Sequence, residues 1–240
     1  MKKFILLTFF LLSITTLINS QEIFKKVKIF PTDTKRDIEL LRSYNVIIDE
    51  AYIGKDNSLS VFLSAKDVEN LQKSGVRYEI VIDNWDDYYK SLPSLSEQEK
   101  LQVRQFSKDT YGVEGFGYGS MGGYYTYAEI NAQLDSMRTR FPNLISVKSS
   151  IGTTLGGRQI YSVKISDNPD VSENEPRALY TSLTHAREPA AMMGVIYYMY
   201  YLLENYNTNP SVKYLVDNRE IYFIPCVNPD GYEYNRSTNP

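Results

Sequence analysis

Histidine occurs once in these 240 residues, at His185, and cysteine once, at Cys226. One cysteine cannot close an internal disulfide, so oxidation contributes nothing to holding the chain together. One histidine means that any imidazole-based metal site has a single starting point. No run of lysines and arginines appears, and 26 basic against 29 acidic side chains leave a formal net charge of −3. Without a basic field to meet phosphates, no nucleic acid partner is expected. The apolar stretch Phe4 to Leu17 is too short for an ordinary membrane span. Preceded by Lys2 and Lys3 and followed by Ser20, it has the layout of a secretory signal, so residues 1–20 read as a signal peptide. No cysteine lies before Cys226 to carry a lipid. A secreted or periplasmic protein with no membrane attachment in its mature form is expected.

The lone histidine lies in Thr184-His185-Ala186-Arg187-Glu188-Pro189. Imidazole nitrogen and carboxylate oxygen are both zinc donors, and a catalytic zinc takes three protein ligands while leaving a fourth position open. With so many acidic residues in the chain, that spacing alone is weak evidence. Context adds to it: Ala178 to Leu183 is a short apolar run of strand type, and Pro189 opens an apolar stretch of helical length, Ala190 to Leu203. His185 and Glu188 then fall in a strand-to-helix loop, the place where open α/β sheets bind ligands. Pro189 suits a first helical turn, and the helix dipole favours an ionised Glu188.

Three stretches in order resemble the zinc carboxypeptidases of the metallocarboxypeptidase family. They are Gly157-Arg-Gln-Ile-Tyr-Ser-Val-Lys-Ile-Ser166, Glu175-Pro-Arg-Ala-Leu-Tyr-Thr-Ser-Leu-Thr-His-Ala-Arg-Glu-Pro189 and Ile224-Pro-Cys-Val-Asn-Pro-Asp-Gly-Tyr-Glu-Tyr234. The resemblance implies that His185 and Glu188 bind one Zn2+, that Arg187 lines a substrate cleft, and that peptide or protein C-termini are the substrate. The family's second zinc histidine and its catalytic glutamate lie beyond the Asn-Pro-Asp-Gly segment, so no catalytic residue is expected within this chain. The polar stretch Asn235 to Pro240 reads as a loop, which suggests the front part of a longer enzyme. These 240 residues are then expected to bind zinc weakly and cleave nothing. Two alternatives share the same start: a zinc-dependent amide deacylase of this fold, and a non-catalytic peptide-binding module using Arg187.

The region before the metal segment contains two further parts. Lys26–Phe30, Asn45–Ile53, Ser58–Leu63 and Tyr78–Ile82 read as strands, with helices over 34–44 and 64–74. The order β-α-β-β-α-β is that of a ferredoxin-like α+β domain, assigned to residues 21–92. By resemblance it is a propeptide covering the cleft in cis. Residues 93–123 read as a connecting helix, begun by the capping box Ser96-Glu-Gln-Glu99, and a flexible linker with six glycines between Tyr111 and Gly123. Activation by cleavage is expected between about Lys100 and Tyr124.

Residues 124–240 read as the start of a mixed-sheet α/β catalytic domain. Thr126-Tyr-Ala-Glu129 caps a helix with Ile130, Leu134, Met137 and Phe141 inward, and strands are expected over 144–151, 159–165 and 220–224. Gly156, Gly157 and Arg158 read as hairpin residues. Asn228-Pro-Asp-Gly231 reads as a tight structural turn, with no catalytic role for Asp230. Cys226 reads as a buried strand-end residue in preference to a third zinc ligand.

Overall fold

A computed structural model describes residues 23–49 and 51–238; the segment read as a signal peptide lies outside them. Two compact units meet at Ser94 and Leu95. The first contains β1 (Phe24–Ile29), α1 (Thr34–Ser43), β2 (Tyr52–Ile53), β3 (Leu59–Ser64), α2 (Ala65–Ser74), β4 (Tyr78–Ile82) and α3 (Trp85–Ser91). Its sheet runs β2-β3-β1-β4, with every neighbouring pair antiparallel. Strand alternation sends Val27 and Ile29 of β1 and Leu59, Val61 and Leu63 of β3 to one face. There they bury against Leu41 of α1 and Val68 and Leu71 of α2. Ser64 and Asp67 form a reciprocal capping box at the start of α2, and Gly75 ends it at φ 72°.

One expected strand in this unit is much shorter than its apolar pattern suggests. Only Tyr52 and Ile53 of residues 45–53 pair with β3. Asn45 is left-handed at φ 56°, and the Ala51 N–H donates to the Ile48 carbonyl at 3.0 Å. Val46 and Ile48 are buried all the same. Their apolar character reflects packing, and the backbone turns where a ladder was expected.

The second unit contains α4 (Glu97–Tyr111), α5 (Tyr127–Arg140), β5 (Ser149–Thr153), β6 (Gln159–Ile165), β7 (Arg177–Thr181), α6 (Pro189–Asn205), α7 (Pro210–Asp217), β8 (Glu220–Ile224) and α8 (Pro229–Thr238). The sheet order is β5-β6-β8-β7. β7 runs parallel to β8, and the other pairs are antiparallel, which makes the sheet mixed as expected. The helix α5 starts on a Thr126–Glu129 capping box and buries Ile130, Leu134 and Met137. The helix α6 buries Met192, Ile196, Met199 and Leu203, one stripe at helical spacing. Each such side chain contributes roughly 1.5–3 kcal/mol of burial, which fixes α6, and with it the loop at its N-terminus, to the core.

Four expectations for this unit are corrected. The strand expected over 144–151 is interrupted: Ile145 bridges Ile165, then pairing resumes at Ser149 opposite Ser162. The glycine-rich stretch is anchored and not free. Glu204, near the end of α6, accepts from the backbone N–H of Glu114 at 2.7 Å and of Gly115 at 3.0 Å, while Asn205 donates to the Tyr111 carbonyl at 2.9 Å. Val113 is consequently buried. Finally, Asn228-Pro-Asp-Gly231 opens a helix, and the polar end expected as a loop is helical to Thr238. Pro229 occupies a first-turn position, where its missing N–H costs nothing. The Asn228 side chain accepts from the Gly231 N–H at 2.9 Å, and Gly231 does not take a positive φ.

Candidate metal centre

β7 and β8 are parallel neighbours, so their carboxyl ends open on the same side of the sheet. The loop after β7 carries His185, Arg187 and Glu188; the loop after β8 leads into α8. Three hydrogen bonds join the two loops. The Ser182 hydroxyl donates to the Pro225 carbonyl at 2.6 Å, Val227 N–H to the Ser182 carbonyl at 3.1 Å, and Asn228 N–H to the Leu183 carbonyl at 3.0 Å. Leu183 is buried yet has a left-handed φ of 52°. For a residue with a Cβ that conformation costs on the order of 1 kcal/mol and persists only where surroundings enforce it. Here the buried side chain and the cross-loop bonds enforce it, and the chain turns sharply just before Thr184.

Beyond that turn, His185, Arg187 and Glu188 are all exposed. The Glu188 N–H donates to the His185 carbonyl at 3.1 Å, closing a tight turn between the two donors. Glu188 sits at the N-cap of α6 without capping it through its side chain, and Pro189 follows in the first turn. A carboxylate placed there faces the positive end of a 17-residue helix.

The donor chemistry fits zinc at two positions: one imidazole and one carboxylate from neighbouring places in one loop. Cys226 does not supply a third. It is 5% exposed, and among the described residues its sulfur does not cluster with His185 and Glu188. Among the described residues, one group of three acidic side chains lies close enough together to suggest a cation, Asp167, Glu173 and Glu175. It contains no nitrogen donor and none of the residues singled out from the sequence.

Residues 130–240 match the family model described as zinc carboxypeptidase. The chain belongs to the zinc carboxypeptidase family. It is 35% identical over 187 residues to a zinc carboxypeptidase of Saccharothrix mutabilis subsp. capreolus, covering 78% of this chain and 40% of that protein. It is 28% identical over 169 residues to mouse carboxypeptidase A1, covering 70% and 37%. Among solved structures, carboxypeptidase A from Helicoverpa armigera superposes with a TM-score of 0.62 at 19% identity, covering 90% of this chain and 51% of that one. That likeness shows the fold. The chain thus spans about two fifths of the length of these curated relatives.

The segment after β8 is where sequence reasoning fell short. Asn228 to Gly231 reads as a turn from composition, but it brackets the donor loop. Asp230 accepts from the Thr154 hydroxyl, the Gly156 N–H and the Arg158 guanidinium, each at 2.8 Å. These bonds hold the Asp230 carboxyl below the usual range, with Arg158 the largest cause. Gly156, Gly157 and Arg158 do form a hairpin turn, with Gly157 at φ 80°. Among the described residues, no helix is long and apolar enough to cross a membrane.

Proposed function

We propose that this chain is the zinc-binding front portion of a secreted metallocarboxypeptidase precursor, which hydrolyses the C-terminal peptide bond of peptides or proteins. The observation that carries the reading is the placement of His185 and Glu188, exposed together in the loop that joins β7 to α6. Family membership supports zinc as the ion they would hold. When bound, zinc supplies Lewis-acid polarisation of a carbonyl and acidification of water. Glu188 would contribute a carboxylate oxygen, His185 an imidazole nitrogen, and Arg187 a positive charge for a peptide carbonyl or carboxylate. The third zinc ligand and the proton acceptor come from outside these residues. On its own the 240-residue chain binds zinc weakly and cleaves nothing.

The first unit takes the role of a propeptide. Its element order and the sheet order β2-β3-β1-β4 support a ferredoxin-like domain, and the basic and apolar N-terminus supports export. Activation cleavage falls between about Lys100 and Tyr124. Of that range, α4 has no buried side chain, whereas the chain from Val113 onward is packed, so a cut ahead of Val113 leaves the packed part intact. N-terminal sequencing of secreted mature protein beginning at Gln21 would remove the activation step.

The central test measures zinc content and release of C-terminal residues from a peptide by the natural polypeptide, beside its H185A and E188A variants. Both variants are expected to lose stoichiometric zinc and turnover. Turnover retained by either one overturns the reading.

A further inference from the structure

The Asn228-Pro-Asp-Gly231 segment makes no chemical contribution to the reading above, yet its last residue abuts the donor loop. A Cβ built on Gly231 would stand 2.9 Å from the Cβ of Ala186 and 2.7 Å from the side-chain Nδ2 of Asn228. Real Cβ atoms do not approach that closely in packed interiors. Neither neighbour yields easily. The Cβ of Ala186 has no rotamer to change, so it moves only with its backbone, and that backbone lies between His185 and Arg187. The Asn228 side chain is held by accepting the Gly231 N–H at 2.9 Å, while the Asn228 N–H holds the Leu183 carbonyl. Asp230 ties the same turn of α8 to the 154–158 hairpin.

We infer that Gly231 is a positioning residue: the first turn of α8 presses, through this side-chain-free point, on Ala186 and so sets the direction in which His185 and Glu188 project. Helix α8 is a buttress for the donor loop, and glycine is required by the closeness of the two backbones, with no demand for a positive φ. The consequence for metal affinity rests on the zinc reading; the packing relation itself does not.

The test uses the lone histidine as a reporter, since the chain gives one set of imidazole resonances. In the 240-residue chain, G231A is expected to move the His185 imidazole signals. The double variant A186G/G231A, which deletes the opposing Cβ, is expected to bring them back toward wild type. In the natural polypeptide, G231A is expected to weaken zinc binding about 10-fold or more, the size of effect typical of residues that orient metal ligands, and the double variant to recover most of it. Thermal melts accompany each variant. If G231A does not fold and the double variant does, the contact is established equally well. Unmoved His185 signals in G231A, or signals and folding equally disturbed in both variants, overturn the inference. If wild-type His185 signals ignore added zinc while the G231A shift and its rescue are seen, the zinc reading fails and the buttress stands.

Discussion

Replacing Glu220 tests how the sheet under the donor loop is held together. Glu220 begins β8 and is 0% exposed, with Lys164 beside it at 5%. Its carboxylate accepts from the Lys164 ammonium at 3.0 Å, the Arg177 guanidinium at 2.6 Å and the Glu173 N–H at 3.0 Å. One buried carboxylate thus joins β6, β7 and β8 at their shared end. E220A leaves the Lys164 ammonium buried, with the Val171 carbonyl as its remaining partner. Breaking a buried pair from one side costs about 3–5 kcal/mol, which for a unit of this size is a fall in Tm on the order of 10 °C. Replacing both partners, as in K164M/E220L, removes the orphaned charge and is expected to recover much of the loss. The pH dependence has a definite sign. The Glu173 N–H first, then Lys164 and Arg177, hold the Glu220 carboxyl at about 2 in the folded protein against an ordinary 4.5. Its contribution is therefore complete above pH 4.5 and is lost as the pH falls toward 2. Wild type should lose stability across that window more steeply than E220Q, in melts followed by circular dichroism. An E220A variant within about 0.5 kcal/mol of wild type, a range ordinary for surface substitutions, would refute the argument.

Two further outcomes are expected. Cys226, buried and with its thiol pushed up to about 12, should ignore a thiol-specific chromogenic disulfide at pH 8 in the folded chain and react at one site per chain in denaturant; fast labelling of the folded protein would contradict its burial. Glu175 has its carboxyl raised by burial and then by the like charges of Glu173, Asp167 and Glu220, and one of its oxygens is buried without a partner. Because the folded state here favours the protonated form, the stability it lends is present at low pH and lost as the pH rises. E175Q should therefore raise Tm at pH 7 and show little gain at pH 4, and an equal gain at both values would rule out the electrostatic cause.

Where local chemistry decides local structure, the sequence is a reliable guide. β4, β6 and β8 fall at the residues their apolar runs mark, because each run is bounded by polar residues or proline and each strand is pinned by a neighbour. Ser64, Ser96 and Thr126 start helices by satisfying orphan N–H groups with their own side chains, a bond formed within four residues and so visible in the chain. The tyrosines of α6 follow from residue type, although two of their partners lie far along the chain. Tyr197, Tyr200 and Tyr201 each bring a hydroxyl to a polar partner, at Ser107, Gln133 and Asn209, as large apolar bodies with one polar tip must when buried.

The misreadings share a different cause, which lies in distance along the chain. A stretch with six glycines looks flexible until Glu204, some 90 residues away, binds its backbone. Asn228-Pro-Asp-Gly231 is the sharpest case, because the same four residues suit a tight turn and a capped helix N-terminus equally well. Burial of Tyr232 on the first turn of α8, with its hydroxyl donating to the Tyr125 carbonyl at 2.6 Å, selects the helix, and that partner is 107 residues upstream. The proposed donors His185 and Glu188 stand out through residue type, strand-to-helix placement and the family resemblance, and a backbone turn links them locally. What orients them does not, because Leu183, Ala186 and Gly231 act through contacts across two loops. The residues of the proposed centre are therefore neighbours in the chain and their aim is set at long range, so variants at Gly231 should disturb His185 while leaving both proposed donors in place.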